Sequence, residues 1–305
     1  MSLPKFVNLV EVGPRDGLQN EPYFVPTSVK IEFINRLANT GLKKIEATSF
    51  VLPKWIPQLS DASKVFMSIK KIDNIVFSAL VPNEYGMKDA LKAGVKSIAV
   101  FVSTSETFNQ KNVNCTINKS LIRIEKILFI AKQHNIQVRG YISCVLGCPY
   151  EGQTDVKKTA SLALQLYQLG CKEISLGDTI GIGTPIKAKK LIEEVAKLLP
   201  LEQIAVHFHD TYGQALANIY AVLQQGVSIV DTAIAGLGGC PYARGASGNI
   251  ATEDVVYMLN GMNVSTGVNL ERLIDVSQFV SQVVGHPVCS KVALAELAKK
   301  YDSAY

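Results

Sequence analysis

The chain has 305 residues, of which 48% are hydrophobic and 19% charged, a balance that excludes a disordered polymer and allows one large barrel or two modest domains. Lys and Arg number 31 against 26 Asp and Glu, and the resulting formal charge of +5 is spread over KK pairs at 43–44, 70–71, 157–158, 189–190 and 299–300. Such spacing reads as solvated helix faces rather than a nucleic-acid stripe, and no apolar run reaches the ~20 residues a bilayer requires.

The first predicted strand is KFVNLVEV (5–12), which runs into GPRDG. The start of the sequence lacks the marks of a signal or transit segment, so a cytoplasmic location is expected. Helical VKIEFINRLANTG (29–41) leads to strand KKIEATSF (43–50), and VLPKWIPQLSDASKVFMSIKKI (51–72) holds a loop with Trp55 and then a helix. Strand DNIVFSALV (73–81), helix NEYGMKDALKAG (83–94) and strand VKSIAVFV (95–102) follow, then helix INKSLIRIEKILFIAKQHN (117–135) and strand IQVRGYISC (136–144). The alternation continues through DVKKTASLALQLYQLG (155–170), CKEISLGD (171–178), PIKAKKLIEEVAKLLP (185–200), QIAVHFHD (203–210), GQALANIYAVLQQG (213–226) and VSIVDTAI (227–234). Apolar strands between amphipathic helices are the pattern of a parallel sheet covered by helices. Eight of them favour a closed (β/α)8 TIM barrel over an open doubly wound sheet, since closure leaves no parallel edge to protect.

After the eighth strand come GLGGCPYARGASGN (236–249), a helix from about Thr252 to Leu259, and the helical segments ERLIDVSQFVSQVVG (271–285) and SKVALAELAKKY (290–301). Residues 1–305 are expected to form a single catalytic barrel domain, with 265–305 as C-terminal cap helices packed on the barrel.

In a barrel of this kind, functional groups collect at the carboxyl ends of the strands. Arg15 and Asp16 lie at the exit of the first strand, Glu46 and Thr48 on the second, and Arg139, Tyr141 and Ser143 on the fifth. Asp178 ends the sixth strand, and His207, His209 and Asp210 end the seventh. A period of two puts His207 and His209 on one face with Phe208 opposite, so both imidazoles can hold one metal ion, with Asp16 or Asp210 supplying an oxygen. Such a set suits Mg²⁺, Mn²⁺ or Zn²⁺. Glu46 is costly inside a barrel unless paired, and Arg15 is its nearest partner by topology; the pair either aims the guanidinium at a substrate oxygen or is a structural salt bridge.

The loop 236–249 carries five glycines in fourteen residues, which suits close backbone approach to a ligand. Cys240 within it is either a thiol acid/base or an inert loop cysteine. Neither this loop nor GDTIGIGTP (177–185) has the spacing of a nucleotide-binding motif. The six cysteines are too sparse for a secreted disulfide scaffold, and Cys144 and Cys148 lack the usual zinc CxxC spacing.

EVGPRDGLQNE (11–21), KWIPQLSD (54–61), RGYISCVLGCPYEG (139–152), EISLGDTIGIGTP (173–185), VHFHDTYGQALAN (206–218) and GLGGCPYARGASGNIATEDVVYML (236–259) together resemble the hydroxymethylglutaryl-CoA lyase family. RDG and HxHD are shared with a wider group of metal-dependent barrel lyases and Claisen-type condensing enzymes, whereas the complete Cys240 loop is more particular to the lyases. The resemblance implies that Asp16, His207, His209 and Asn249 ligate a divalent cation, Mg²⁺ or Mn²⁺ before Zn²⁺. It implies that Arg15, held by Glu46, stabilises an enolate oxygen, and that Cys240 acts as a thiol acid/base. Asp178 would line the pocket and Asp210 would support the histidines, while His207 could serve both as ligand and as neighbour of the reacting hydroxyl. Either Asp178 or a cation-activated water relay would take the hydroxyl proton. The implied reaction is cleavage of (S)-3-hydroxy-3-methylglutaryl-CoA to acetyl-CoA and acetoacetate, late in leucine degradation, by a homodimer that binds an acyl-CoA and neither nucleic acid nor membrane. The rival is a relative that condenses acetyl-CoA with a 2-oxoacid, or a 4-hydroxy-2-oxoacid aldolase. The former often carries a C-terminal regulatory domain, for which the 20 residues after Gly285 are too few.

Overall fold

The computed structural model describes residues 3–239 and 248–302, and these form a closed barrel of eight parallel strands. The strands are β1 (Asn8–Glu11), β2 (Lys44–Ser49), β3 (Val76–Leu80), β4 (Ser97–Ser103), β5 (Gln137–Ser143), β6 (Glu173–Asp178), β7 (Ile204–Phe208) and β8 (Ile229–Thr232). They pair in chain order, and β8 returns to β1 with Val10 beside Asp231. Each expected strand is present; most are trimmed at one or both ends, whereas β4 runs one residue beyond its expected end, to Ser103.

The outer layer comprises α1 (Thr27–Ala38), α2 (Ala62–Ser68), α3 (Glu84–Lys92), α4 (Glu106–Val113), α5 (Ile117–Gln133), α6 (Val156–Leu169), α7 (Pro185–Ala196) and α8 (Ala215–Leu223). Their apolar stripes pack on the outward residues of the strands, which builds the main core between sheet and helices. Helix α4 has no counterpart in the sequence reading because ETFNQKNV carries too few apolar residues to show a helical period. It forms because the Ser105 side chain caps it, accepting from the Phe108 N–H at 3.0 Å, and because Phe108 is buried beneath Cys144 and Cys148. Those two cysteines therefore have a packing role.

The barrel interior departs from the usual filling of branched aliphatic residues. Leu80, Ala99 and Tyr141 form a small apolar cluster there, while Glu46, Arg139, Ser175, Asp231 and His207 bring polar groups inside. Buried charge is tolerated only when paired and hydrogen-bonded, and these groups meet one another inside the barrel. On β2 the register shifts between Glu46 and Thr48, so that Thr48 pairs with Ala79, directly after the Glu46–Ser78 pair. The bulge breaks the shared face that simple alternation gives Glu46 and Thr48.

Beyond β8, α9 (Thr252–Gly261), α10 (Leu270–Val284) and α11 (Lys291–Asp302) pack on one another, with α10 also against α1. Two buried carboxyls lie where this cap meets the barrel, Glu253 on α9 and Glu11 at the end of β1. Glu253 accepts from the Ala235 N–H at 3.0 Å and from the Ser277 hydroxyl, and Glu11 accepts from the N–H groups of Gly13 and Ile234 at 2.8 and 2.9 Å and from the Thr252 hydroxyl at 2.6 Å. Burial, with Glu11 nearby, raises Glu253 to about 8, and burial raises Glu11 to about 7. A carboxyl whose folded pKa lies above its unfolded value stabilises the fold while protonated, so stability should fall as pH climbs from about 4.5 towards 8. Glu253→Gln should lower the melting temperature at pH 5 and leave a smaller deficit at pH 8. Parallel melting profiles for parent and variant across that range would contradict it.

Candidate active site

The chain leaves β1 through a single wide turn, Gly13–Gly17, in which the Val12 carbonyl accepts from the N–H groups of Arg15, Asp16 and Gly17 at 3.1, 2.7 and 3.3 Å. This turn delivers Arg15 and Asp16 to the carboxyl end of the barrel. It fits only because Gly17 lacks a side chain, since a Cβ there would lie 2.7 Å from the Leu237 Cβ.

Arg15 donates through Nε to Glu46 and through Nη1 to Asp16, so the expected pairing with Glu46 is present and extends to the neighbouring carboxylate. Burial alone would raise the Asp16 carboxyl, but the charge of Arg15, reinforced by His207, His209 and the Asn249 amide, holds it well below the usual carboxylate range. Asp16 is therefore an acceptor, suited to a cation.

His207 stands on β7 and His209 just past its end, where His209 bridges to Asn249. Their Nε2 atoms face each other at 3.2 Å, and the Asp16 Oδ2 lies 3.9 Å from His207 Nε2. Donor atoms of Asp16, His207 and His209 all lie within 4.8 Å of one another, and among the described residues this is the one group of three His, Cys, Asp or Glu donors placed to share an ion. Burial, added to by His207, lowers the His209 imidazole to about 4, so it stands neutral with a lone pair to offer. Asn249 completes the cluster: its Nδ2 donates to Asp16 Oδ2 at 2.8 Å and to the Leu237 carbonyl at 3.2 Å, which leaves Oδ1 as the amide atom able to meet a cation. Gly238, with φ of +133°, passes so close that a Cβ would sit 2.7 Å from that amide nitrogen. These two nitrogens and the oxygens of Asp16 and Asn249 fit a divalent ion.

Two expected residues do not join the cluster. Asp178 pairs in register with Phe208 and shares the outward phase of Leu176, the opposite phase to Ser175. Its carboxylate is fully buried, accepts from the Gly183 N–H at 2.8 Å and is raised to about 6 by burial. Oδ2 thus braces the turn after β6, while Oδ1 is buried without a hydrogen-bond partner and stands apart from the three donors that converge at the histidines. Asp210, the alternative oxygen ligand, instead accepts from the Ala215 N–H at 2.9 Å at the start of α8. Cys240 lies outside the described residues.

The sequence reading missed Asp231 on β8, whose Oδ2 sits 3.3 Å from His207 Nδ1. Arg139 grips both of its oxygens, at 2.5 and 3.1 Å, and the Ser175 hydroxyl donates to Oδ2 at 2.8 Å. Burial would raise Asp231, yet Arg139 and His207 hold it down to about 2. Tyr141 closes the circuit, accepting from Arg139 at 2.8 Å and donating to Glu46 at 3.0 Å. The clue lay in VSIVDTAI: a lone charge within an apolar strand demands a partner.

Known proteins resemble this chain along nearly its whole length. Residues 6–280 match the HMGL-like family. The chain is 56% identical over 293 residues to an Arabidopsis thaliana mitochondrial hydroxymethylglutaryl-CoA lyase, covering 96% of this chain and 63% of that longer protein. The crystal structure of hydroxymethylglutaryl-CoA lyase from Pseudomonas aeruginosa superposes with a TM-score of 0.96 at 52% identity, covering 98% of this chain and 100% of that one. A lyase of the same kind from Acinetobacter baumannii, solved with coenzyme A and 3-methylmalate, gives a TM-score of 0.92 at 38% identity over 97% of this chain and 96% of its own. With the barrel, the convergent histidines and the Arg15–Glu46 pair in place, this chain belongs to the hydroxymethylglutaryl-CoA lyase family.

Proposed function

We propose that the protein cleaves (S)-3-hydroxy-3-methylglutaryl-CoA to acetyl-CoA and acetoacetate with a divalent cation, Mg²⁺ or Mn²⁺, held by Asp16, His207, His209 and Asn249. The observation that carries this reading is the placement of the Arg15 guanidinium against Asp16, at the edge of the histidine cluster. When bound, the cation supplies a Lewis acid that makes the substrate's tertiary hydroxyl easier to deprotonate. Loss of that proton lets the alkoxide collapse to a ketone, which breaks the carbon–carbon bond and leaves a thioester enolate. Arg15 is aimed at that developing charge: Glu46 and Asp16 engage two of its N–H donors and fix the plane of the fork, so the rest can meet an enolate oxygen without reorganising. Cys240 delivers a proton to the enolate carbon, a role it takes from the family resemblance. A water relay, rather than Asp178, takes the hydroxyl proton, because Asp178 is tied into the turn after β6.

The direct test uses chelator-treated protein and the hydroxymethylglutaryl thioester, with and without added Mg²⁺ or Mn²⁺. Acetoacetate should form only with the cation restored. Absence of acetoacetate under both conditions, or consumption of acetyl-CoA with a 2-oxoacid in its place, would overturn the reading.

A further inference from the structure

We propose that Asp231 is a positioning residue that fixes the ring of His207 with its proton on Nδ1 and its Nε2 lone pair turned to the cation site. The metal consequence rests on the function proposed above, whereas the tautomer itself stands on this protein's own geometry. Asp231 is 2% exposed and both of its oxygens are gripped by Arg139, so the carboxylate is ionised and can only accept. Its Oδ2 also receives the Ser175 hydroxyl at 2.8 Å. The remaining polar atom at that oxygen is His207 Nδ1 at 3.3 Å, and an acceptor there draws the imidazole proton to Nδ1. The other ring nitrogen then carries the lone pair, and it is this nitrogen that faces His209 Nε2 at 3.2 Å and Asp16 Oδ2 at 3.9 Å.

The circuit behind Asp231 keeps this geometry from drifting. Arg139 is anchored on its far side by Glu173, which contacts its Nε at 2.7 Å, and Lys44 in turn holds Glu173 at 2.6 Å. The Tyr141 ring stands edge-on to His207, 6.0 Å between centroids at an interplanar angle of 80°, and limits rotation of the imidazole. His209 has no such backing, since its Nδ1 is buried without a hydrogen-bond partner in the structure. The two histidines are therefore unequal, one oriented by a carboxylate and one by packing and the bridge to Asn249.

Asp231→Asn makes the sharp test because it preserves volume while changing the sign of one contact. Arg139 requires acceptors, so the amide oxygen should turn to it and the amide NH₂ should turn to His207. A donor facing Nδ1 would move the imidazole proton to Nε2, onto the nitrogen that faces the cation site.

The ring nitrogens can be read by long-range ¹⁵N–¹H correlation in metal-free protein at pH 8, with only four histidines to assign. The expected result is a neutral Nδ1–H tautomer for His207 in the parent, an Nε2–H tautomer in Asp231→Asn, and Mn²⁺ affinity weakened about 10- to 100-fold in the variant by calorimetry. A parent His207 protonated on Nε2, or on both nitrogens, overturns the proposal; so does a folded variant with the parental tautomer and Mn²⁺ affinity. Should the variant fail to fold, the parent spectrum decides alone. If the parent shows the Nδ1–H tautomer but neither binds Mn²⁺ nor forms acetoacetate, the positioning of His207 stands and the proposed function falls.

Discussion

Arg15→Gln is expected to lower kcat by about 10²-fold or more while Mn²⁺ binding survives, because it removes charge stabilisation that matters most in the transition state. The geometry separates the two effects. Arg15 reaches Asp16 through Nη1 and Glu46 through Nε, and it is a cation beside an anionic ligand, so its removal should leave cation affinity unchanged or slightly stronger. Glu46 keeps its hydrogen bond from Tyr141 in the variant but loses its charge partner, which should cost stability. Assays therefore belong well below the variant's melting temperature. Arg15→Lys should recover only part of the rate, since a lysine restores charge but not the planar fork that bonds Glu46 and Asp16 together. Steady-state kinetics on acetoacetate release, with calorimetric Mn²⁺ titration on the same preparations, check both halves. Equal kcat for Arg15→Gln and the parent would sink the assignment of Arg15.

The residues that the sequence made legible are those whose position follows from periodicity alone. Strands such as QIAVHFHD and VKSIAVFV, bounded by helices with clear apolar stripes, announce a covered parallel sheet; the first contains the observed β7, and the second holds all of β4 except its last residue, Ser103. The carboxyl ends of those strands then point to Arg15, Asp16, Glu46, His207 and His209, and these do meet. What stayed hidden depends on long-range pairing or on local irregularity. Asp231 lies 24 positions from His207 and 92 from Arg139, and nothing in the spacing of one strand reveals that three strands meet around it. The environment of Asp178 was equally hidden: a strand-end aspartate suggests the pocket, but its register with Phe208 puts it in the outward phase of β6, and the Gly183 N–H that holds one of its oxygens comes from the following turn. The register shift after Glu46 was equally invisible, because KIEATS reads as unbroken alternation.

His209→Ala should lower activity sharply at ordinary cation concentrations, through the cation rather than through Arg15. Loss of a residue that merely orients a metal ligand typically weakens affinity about 10- to 100-fold, so loss of a ligand itself should reach at least the upper end of that range. His209 is well suited to show this cleanly. Its Nδ1 makes no hydrogen bond in the structure, and its backbone bridge to Asn249 does not depend on the imidazole, so truncation leaves fewer orphaned partners than at His207. Asn249 would still be held by Asp16 and the Leu237 carbonyl, and the Arg15–Glu46 pair would be untouched. The variant should therefore fold, bind Mn²⁺ at least ~100-fold more weakly, and regain part of its rate at high cation concentration. Calorimetric titration showing Mn²⁺ affinity equal to the parent's would remove His209 from the ligand set, and a rate that stays low at saturating Mn²⁺ would place its contribution in the chemical step.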